Sequence, residues 1–454
     1  MKLKPYPKTK PSGVEWLGDV PVHWEVKAIK WETPVLRGAS PRPIDDPVYF
    51  DDDEGEYSWV RISDVTSAGA YLSSTEQKLS RIGSSLSVKL NPGAIFLSIA
   101  GSVGKPCITN IKCCIHDGFV HFPRYKGDVK FMYYLFASGE PYRGLGKLGT
   151  QLNLNTDTVG SIVAGFPSLP EQRAITAYLD RETRRIDILV AKKRELIERL
   201  KEKRSALISR TVTRGLPPAA AKAAGLPVNL KMKSSGHPWL DDIPKHWQVK
   251  RLKEISTLFG RIGFRGYSID DLVYEGEGAI SMSPSNMSDG VVSLDKCTWL
   301  SWEKYHESPE IQVQPEDVIM VKTGSTLGKT AFVKSVPVPM TVNPQLMIFK
   351  EVKCSKRYLF YYVFSKVVQD VIPLHNTGST IPTMTQEGIG KLPFPYPPLP
   401  EQTAIAVYLD TETSKLDGLV AKVEEAVERL QEYRSALITA AVTGKIDVRK
   451  EIPT

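Results

Sequence analysis

The sequence contains the stretch LPEQRAITAYLD at residues 169–180, and a close copy, LPEQTAIAVYLD, at residues 399–410. The likeness continues downstream of both stretches. At a constant offset of 230, residues 167–213 and 397–443 are identical at 29 of 47 positions. Self-similarity this strong indicates a duplicated structural unit, and the rest of the chain has to be interpreted around it.

Each copy begins and ends like one long helix. Pro170 suits the first helical turn, where its missing N–H is not needed, and Glu171 places negative charge at the positive end of the helix dipole. Gly215 follows as a helix stop. As one helix, residues 170–213 would span about 65 Å at about 1.5 Å per residue, which predicts a spacer. The alternative is two shorter helices in each copy, because the polar residues that follow Asp180 suit a new helix cap.

Apolar residues of the second copy recur at alternating spacings of three and four, which is typical of a coiled-coil seam. The first copy is less regular, because Lys193 and Lys203 interrupt the pattern, while Val190 and Ile197 widen its apolar face. The residues predicted to form the seam are Ile186, Leu189, Leu196, Leu200 and Leu207 in the first copy and Leu416, Leu419, Val423, Leu430 and Leu437 in the second.

Length and composition predict a globular protein of two or three domains, with 454 residues, 41% hydrophobic residues and 24% charged residues. No apolar run approaches the roughly 18 residues of a transmembrane helix, so no membrane association is expected. The five cysteines form no CxxC pair, as expected of reduced thiols, and we expect a cytoplasmic location. A net charge of +8 favours a polyanionic partner.

A second repeat opens each half of the chain. KTKPSGVEWLGDVPVHWEVK at residues 8–27 is echoed by KMKSSGHPWLDDIPKHWQVK at residues 231–250. We interpret the shared tryptophans as anchors on a core, in preference to stacking on nucleic acid, because large aromatic side chains usually pack inside. The duplication therefore includes more than the helices.

The whole chain is predicted to be two similar halves, each a mixed α/β globular region followed by a long helix. Runs rich in β-branched and aromatic residues, separated by Gly, Pro and Ser, indicate strands with loops. The predicted segments are a globular region at 1–168, a helix at 169–215, a linker at 216–235, a second globular region at 236–398, a second helix at 399–446 and a tail at 447–454. The role of the alanine-rich part of the linker is left open.

The globular regions share glycine-rich loops. NPGAIFLSIAGSVGK at residues 91–105 matches QPEDVIMVKTGSTLGK at residues 314–329. Both resemble a phosphate-binding loop but hold Ile99 and Thr323 where its first glycine belongs, which argues against nucleotide hydrolysis. Exposed N–H groups, a hydroxyl and a lysine in a tight turn also suit DNA phosphates, and an ordinary β-turn is the alternative.

The candidate DNA contacts are of three kinds. The glycine-loop candidates are Gly101, Ser102, Lys105, Thr323, Ser325 and Lys329. Gly324 is a further candidate because it aligns with Gly101. Small hydroxyl and amide side chains suited to base edges are Thr150, Gln151, Asn153, Ser379 and Thr380, for which plain loop capping is the alternative. Basic side chains that would reach guanines or phosphates are Arg37, Arg42, Arg61, Arg261, Arg265 and Lys322, any one of which is otherwise a solvated surface charge.

The sequence lacks motifs of catalysis. Residues 91–93 and 343–345 fail the N/D-P-P-Y/F pattern of amino-methyltransferases, and there is no H-E-x-x-H or G-x-S-x-G sequence. Cys113, Cys114 and His116 lie close together but lack a second ligand pair for zinc, so no metal site is predicted. The acidic residues at 51–56 are typical of a solvated loop. The pattern indicates a binding protein.

The PLPEQ-type helix openings, the RSALI sequences near both helix ends and the SGxxWLxxxPxHW openings together resemble the specificity subunit of type I restriction–modification systems. This resemblance covers nearly the whole chain. It implies two target-recognition domains that each read one half of a bipartite double-stranded DNA site. It also implies long helices that pack antiparallel, as a pseudo-two-fold spacer.

The resemblance further implies partners. Two methyltransferase subunits would bind the helices and carry S-adenosylmethionine, so this chain itself would hold no cofactor, and restriction subunits would join the complex. Two alternatives belong to other classes. A single-chain DNA methyltransferase or nuclease is disfavoured by the missing motifs, and a coiled-coil scaffold without DNA contact is disfavoured by the basic charge and the paired loops.

Overall fold

The computed structural model describes residues 4–143, 145, 154–261, 266–378 and 380–449. The chain divides into two units: unit 1 comprises residues 1–194 and 425–454, and unit 2 comprises residues 195–424. Each unit therefore contains one globular region together with part of both long helices. Among the described residues, no helix is long and apolar enough to cross a membrane.

Unit 1 is built on two sheets of short strands. The five-stranded sheet has the order β4-β12-β9-β10-β6, and the four-stranded sheet has the order β7-β5-β11-β8. The described strands are β1 (Thr9–Pro11), β2 (Asp19–Pro21), β3 (Glu25–Ala28), β4 (Leu36–Arg37), β5 (Tyr57–Val60), β6 (Tyr71–Leu72), β7 (Gln77–Leu79), β8 (Val88–Leu90), β9 (Ile95–Ser98), β10 (Pro106–Thr109), β11 (Cys113–Ile115), β12 (Phe119–His121) and β13 (Val163–Phe166). The helices are α1 (Ile29–Glu32), α2 (Ile62–Ser67), α3 (Arg81–Ser85), α4 (Val129–Ala137), α5 (Thr156–Ser161) and the long α6 (Leu169–Arg214), which continues into unit 2.

Unit 2 repeats this plan with a six-stranded sheet, β17-β26-β23-β24-β21-β20, and a four-stranded sheet, β18-β22-β19-β25. Its strands are β14 (Met232–Lys233), β15 (Ile243–Pro244), β16 (Gln248–Arg251), β17 (Thr257–Phe259), β18 (Leu272–Val273), β19 (Ala279–Met282), β20 (Met287–Ser288), β21 (Gly290–Val292), β22 (Thr298–Leu300), β23 (Val318–Val321), β24 (Thr330–Phe332), β25 (Met340–Val342), β26 (Leu346–Lys350) and β27 (Pro393–Tyr396). Its helices are α7 (Pro218–Ala223), α8 (Leu252–Ile255), α9 (Trp302–His306), α10 (Lys356–Phe364), α11 (Lys366–Gln369), α12 (Gln386–Gly390) and the long α13 (Leu399–Val442), which continues into unit 1.

The central strands are apolar throughout because both of their faces are covered. In β9, Ile95 and Leu97 belong to the same hydrophobic cluster as helix α4, whereas Phe96 between them packs with Cys113 and Ile115 of the other sheet. Side chains alternate between the two faces of a strand, so this run of apolar residues joins a helix layer to a second sheet. Strand β23 in unit 2 alternates in the same way between α10 and the second sheet. The predicted mixed α/β class is confirmed.

The two long helices are continuous, so the alternative of a break near Asp180 is wrong. The Asp180 carboxylate does not cap a new helix. It accepts a hydrogen bond from the Tyr134 hydroxyl at 2.8 Å and pairs with Lys130, both on α4. At the equivalent position, Asp410 accepts from Tyr361 of α10 at 2.7 Å. These aspartates fasten the long helices to the globular regions.

The two helices pack together with opposite chain directions in each unit. In unit 1, Ile186 and Val190 of α6 share a buried cluster with Val427 and Leu437 of α13. An ion pair of 2.9 Å between Arg434 and Asp187 lies beside it. In unit 2, late residues of α6 pack against early residues of α13, and Arg204 pairs with Asp417 at 2.9 Å. The predicted antiparallel pair is confirmed.

The predicted seam is wrong at three positions. Leu189, Leu196 and Leu419 are 41%, 44% and 48% exposed, and they lie outside the face on which the helices meet. Val190 and Ile197, expected only to widen that face, are buried in it. Adjacent apolar residues at these positions fit the heptad spacing about equally well, and only the packing of the second helix selects between them. The other predicted seam residues of the two helices, namely Ile186, Leu200, Leu207, Leu416, Val423, Leu430 and Leu437, are buried or half-buried.

The repeated tryptophan motifs anchor the start of each half, as predicted. Trp24 and Trp247 are fully buried. In unit 1 the buried Glu171 carboxylate at the start of α6 accepts hydrogen bonds from Tyr6 at 2.7 Å, His23 at 2.8 Å and Trp24 at 3.2 Å. The glutamate expected to interact with the helix dipole therefore also ties the first residues of the chain to the helix.

The alanine-rich part of the linker, whose role the sequence left open, is packed, and so are residues 443–448. The alanine-rich part of the linker forms α7, and Ala221 is buried in the unit 2 core together with Leu216. The described residues after α13 pack within unit 1, where Lys445 Nζ donates to the Leu17 carbonyl oxygen at 2.9 Å and the Asp447 N–H donates to the Lys4 carbonyl oxygen at 2.9 Å.

Candidate nucleic-acid interface

The glycine-rich loops connect the central antiparallel strands in both units. Gly101 and Gly104 in the first loop, with φ of +64° and +83°, adopt the left-handed conformation that glycine tolerates best. Gly324 and Gly328 do the same in the second loop, with φ of +114° and +88°. The sequence repeat therefore reflects a repeated hairpin geometry, which by itself is sufficient reason for the glycines.

The loop lysines are held by carbonyl groups. Lys105 Nζ donates to the Thr66 carbonyl oxygen at 2.7 Å, and Lys329 Nζ donates to the Pro284 carbonyl oxygen at 3.0 Å. Ser102 lies 2.9 Å from the Thr66 hydroxyl, while Ser325 is exposed. Both lysines are half-buried, and neither forms an ion pair with a described carboxylate.

Basic residues in unit 1 form an exposed group around one carboxylate. Arg42 pairs with Asp117 at 2.8 Å, Arg37 donates to the Asp117 carbonyl oxygen at 2.6 Å, and the Ser40 hydroxyl donates to the Asp117 carboxylate at 3.0 Å. Burial alone would raise the pKa of Asp117, but the Ser40 hydrogen bond and the Arg42 guanidinium outweigh it and lower that pKa. The guanidinium groups are thereby oriented at the surface, and Arg61 is exposed as well.

The basic residues of unit 2 are placed differently. Arg261 is 1% exposed, and its guanidinium donates to the Val342 carbonyl oxygen and to the Thr341 hydroxyl, each at 3.3 Å. The prediction of a surface DNA contact by Arg261 is therefore wrong, because its side chain is buried and these two hydrogen bonds lie inside the core. Lys322 is 9% exposed, and burial lowers the pKa of its ammonium group.

A polar loop before α12 lies against the second glycine-rich loop. The Asn376 side chain accepts from the N–H of Gly378 at 2.9 Å and of Thr383 at 2.8 Å, which holds the loop closed. The Gly324 N–H donates to the Pro382 carbonyl oxygen at 2.8 Å, and Thr323 forms a β-bridge with Thr383. Two of the predicted motifs thus meet at one surface, where Thr380 is exposed. The predicted contacts Thr150, Gln151, Asn153, Arg265 and Ser379 lie outside the described residues.

The side chains that could ligate a metal ion do not cluster among the described residues. No group of three or more His, Cys, Asp or Glu side chains among them is arranged to hold a metal ion. Burial raises the pKa of Cys113 to about 11 and that of Cys114 to about 12, so both remain protonated thiols. The His116 ring accepts a hydrogen bond from the Gly118 N–H at 2.8 Å and thus has a local structural role.

The comparison with known families now decides the identity. The model described as type I restriction modification DNA specificity domain matches residues 42–199 and 244–429, which is more than half of the chain. The chain belongs to this family. Each matched segment of this type I specificity protein contains a central sheet, a glycine-rich loop and the start of a long helix.

Curated relatives carry the same description. The type I restriction enzyme MjaVIII specificity subunit of Methanocaldococcus jannaschii is 21% identical over 289 residues, or 63% of this chain and 62% of that protein. The type I restriction enzyme EcoKI specificity subunit of Escherichia coli is 22% identical over 223 residues, covering 45% of this chain and 44% of that protein. The chain thus aligns with about three-fifths or less of the length of these relatives.

Solved structures share the fold over a longer stretch. A chain from a study of complex assembly and conformational transition of the type I R-M system superposes with a TM-score of 0.70 at 16% identity, covering 94% of this chain and 99% of that one. The crystal structure of the HsdS subunit from Thermoanaerobacter tengcongensis gives a TM-score of 0.53 at 16% identity, covering 94% and 98%. At this identity the likeness shows the specificity-subunit fold.

Proposed function

We propose that this chain is the non-catalytic DNA-recognition subunit of a type I restriction–modification complex, and that each unit reads one half of a bipartite double-stranded DNA target. The observation that carries the proposal is the presence of two matched specificity segments in one chain. Each has its own core, glycine-rich loop and fastening to a long helix. Two readers in one polypeptide suit a target made of two different half-sites.

The polar and basic side chains of the loops support DNA as the ligand. Arg42 and Arg61 in unit 1 are exposed, as are Ser325 and Thr380 in unit 2. Phosphate contacts supply most of the affinity of such proteins for DNA, whereas hydroxyl and amide groups at base edges supply specificity. A net charge of +8 adds a long-range attraction to the polyanion.

The exposed leucines of the helices suit two copies of one partner. Leu189 and Leu419 occupy equivalent positions at the repeat offset of 230, and both are exposed although they belong to amphipathic helices. Equivalent surfaces on a duplicated chain bind equivalent partners. We assign these surfaces to two methyltransferase subunits, which would hold S-adenosylmethionine and take the target adenine out of the duplex, with restriction subunits joining the complex.

The test is methylation in a defined pair of proteins. This chain is co-expressed with the methyltransferase subunit, and methylated adenines are mapped by single-molecule sequencing. We expect one bipartite sequence motif with a fixed gap, and no methylation when either protein is absent. Methyl transfer or DNA cleavage by this purified chain alone would refute the recognition-subunit proposal, as would methylation without sequence preference.

A further inference from the structure

The turn between β25 and β26 of unit 2 holds an exposed glutamine in a defined orientation. The Asn343 side-chain oxygen accepts a hydrogen bond from the Gln345 N–H at 3.0 Å. Because an amide side chain has one oxygen and one nitrogen, the Asn343 nitrogen is left for the Gln345 side-chain oxygen, to which it donates at 3.2 Å. Asn343 is 8% exposed, whereas Gln345 is exposed. A buried amide thus orients an amide at the surface.

This orientation leaves two groups of Gln345 available to a ligand. The side-chain oxygen retains a second lone pair, and the side-chain nitrogen has no hydrogen-bond partner among the described residues. A Cβ atom added to Gly324 would lie 3.3 Å from this nitrogen, so the glycine leaves room for the amide. An acceptor and a donor therefore lie side by side on one planar group.

The Gln345 turn belongs to the candidate nucleic-acid interface. The Gln345 carbonyl oxygen accepts from the Lys322 N–H at 2.8 Å, directly before the glycine-rich loop. The Gly324 N–H in that loop donates in turn to the polar loop before α12. Three loops thus meet around the Gln345 amide, and the exposed side chains of Ser325 and Thr380 lie on the other two.

Unit 1 has the same turn with a different side chain in it. Strand pairing and the loop alignment place His116 at the position of Asn343. By the same alignment, Gly118 corresponds to Gln345. The His116 ring accepts from the Gly118 N–H at 2.8 Å, and the Gly118 carbonyl oxygen accepts from the Ile99 N–H at 2.8 Å. A Cβ atom at Gly118 would lie 2.4 Å from the His116 ring, which leaves no room for a side chain there. The framework is kept where the exposed group differs, as expected of a residue that distinguishes one half-site from the other.

We propose that Gln345 recognises an adenine in the unit 2 half-site, with its side-chain nitrogen donating to adenine N7 and its oxygen accepting from the N6 amino group. The proposal rests on the DNA-recognition function above. In the major groove adenine presents this acceptor and this donor side by side, whereas guanine presents two acceptors and cytosine a donor. Asn343 is the positioning residue, because it is buried and holds the Gln345 amide in the required orientation.

The test uses the full chain with its methyltransferase subunit. Methylation mapping of the wild-type complex defines the two half-sites, and an exchange of residues 14–163 for those of a relative assigns one of them to unit 2. Gln345→Leu removes the amide, and Gln248→Leu does the same at an exposed glutamine outside the three loops. We expect Gln345→Leu to lose about tenfold to a hundredfold of discrimination at one adenine of the unit 2 half-site. Gln248→Leu should leave the motif unchanged.

A second substitution should redirect the same contact. Gln345→Glu keeps the acceptor but replaces the donor with another acceptor, which suits the N4 amino group of cytosine and opposes adenine N7. We expect this variant to prefer cytosine at the same position. A Gln345→Glu motif that still requires adenine would overturn the assignment.

Asn343 is tested through the residue that it positions. Asn343→Asp keeps an acceptor for the Gln345 N–H but offers no donor to the Gln345 side chain, so discrimination at the adenine should fall. Combined with Gln345→Leu, it should cause no further loss at that base, because Gln345 alone contacts the base. A further, additive loss would mean that Asn343 acts independently and would overturn its positioning role.

A modified base identifies the atoms in contact. Duplexes with 7-deazaadenine at that position lack N7 and should weaken binding of the wild type but not of Gln345→Leu. Equal weakening of Gln345→Leu on all four bases would mean a contact to the DNA backbone and would overturn the base assignment. So would a unit 2 half-site without an A·T pair, or an unchanged motif in Gln345→Leu.

Folding is checked separately. Because the Gln345 side chain is exposed, Gln345→Leu and Gln345→Glu should unfold at the same temperature as Gln248→Leu. A lower midpoint with an unchanged motif would show that the amide only stabilises its turn and would overturn the proposal. A wild-type complex without any sequence-specific methylation would refute the recognition function itself, which is distinguishable from a specific complex that ignores Gln345.

Discussion

The two units carry the same buried glutamate but surround it differently. In unit 1 the Glu171 carboxylate accepts from Tyr6, His23 and Trp24. In unit 2 the equivalent Glu401 accepts from His246 at 2.8 Å, whereas the Trp247 indole nitrogen is buried and has no hydrogen-bond partner among the described residues. At the repeat offset of 223 the counterpart of Tyr6 is Asn229, which is exposed.

This difference shows how the duplicated chain has diverged. The elements that fasten a globular region to its helix are kept, namely the tryptophan, the histidine and the glutamate. Side chains added to that framework vary from one unit to the other, as Tyr6 does here. We therefore expect exchanges between units to separate folding residues from recognition residues.

The largest effect is expected from replacing the whole globular region of one unit. Exchange of residues 14–163 for the equivalent region of a relative should change one half of the methylated motif completely and leave the other half and the gap as they were. The physical reason is that each unit has its own core and its own loops. Methylation mapping of the chimaera measures this. A change in both halves, or in neither, would contradict the two-reader model.

Replacement of the two buried glutamates, Glu171 and Glu401, should lower the free energy of unfolding by different amounts. Glu171→Gln disturbs three hydrogen bonds to a buried carboxylate and should lower the free energy of unfolding by about 2–3 kcal/mol. Glu401→Gln disturbs one such hydrogen bond among the described residues and should cost about 1 kcal/mol.

Urea unfolding of the full-length variants, followed by hydrogen exchange in each unit, measures both costs. Tyr6→Phe is the matched control, because it removes a single donor from unit 1 and should cost about 1 kcal/mol. Equal losses for the two glutamate variants would show that the additional donors of unit 1 contribute nothing to stability.

The loop lysines should behave alike in both units. Lys105→Ala and Lys329→Ala should each weaken binding to matched and mismatched DNA by a similar factor, because phosphate contacts carry no sequence information. Each should also reduce the slope of log affinity against log salt by about one. Titrations of each variant with DNA at several salt concentrations measure both the affinity and the slope. If both slopes stay at the wild-type value, the lysines serve the turns alone, through their bonds to Thr66 and Pro284.

A smaller effect is the dependence of the stability of unit 1 on pH. Burial lowers the pKa of His121, and burial likewise lowers that of His116. A histidine with a lower pKa in the folded state binds fewer protons there than in the unfolded state. Its contribution to stability is therefore complete above the unfolded pKa of about 6.5 and is lost as the pH falls below it.

The protection of the β9 and β12 amides against hydrogen exchange, relative to the intrinsic exchange rate at each pH, should accordingly fall below about pH 6.5. Strand pairing and the loop alignment show that Ile348 occupies the position in unit 2 that His121 occupies in unit 1. His121→Ile is therefore the matched variant and should reduce this pH dependence. A variant with the same acid response as the wild type would assign the effect to other groups.

Much of this protein was determined by the sequence alone. The duplicated LPEQ helices, the paired tryptophan motifs and the glycine-rich loops are local patterns, and each depends on residues close together in the chain. They were sufficient to predict two α/β halves, the long continuous helices and the specificity-subunit family. Proline at the helix start and glycine after its end define the helix because capping is a local interaction.

Other features were decided only by tertiary structure. Whether Leu189 or Val190 faces the second helix depends on which side that helix packs, and two neighbouring apolar residues give no local signal for it. Arg261 has the composition of a surface contact but is held inside by Thr341 and Val342, about eighty positions away in the chain. Likewise, the Gln386 side chain and the Leu346 carbonyl oxygen meet beside Gly260 although all three residues are distant in the chain. Long-range contacts are chosen by the packing of the whole core, and the spacing of residues along the chain does not encode them.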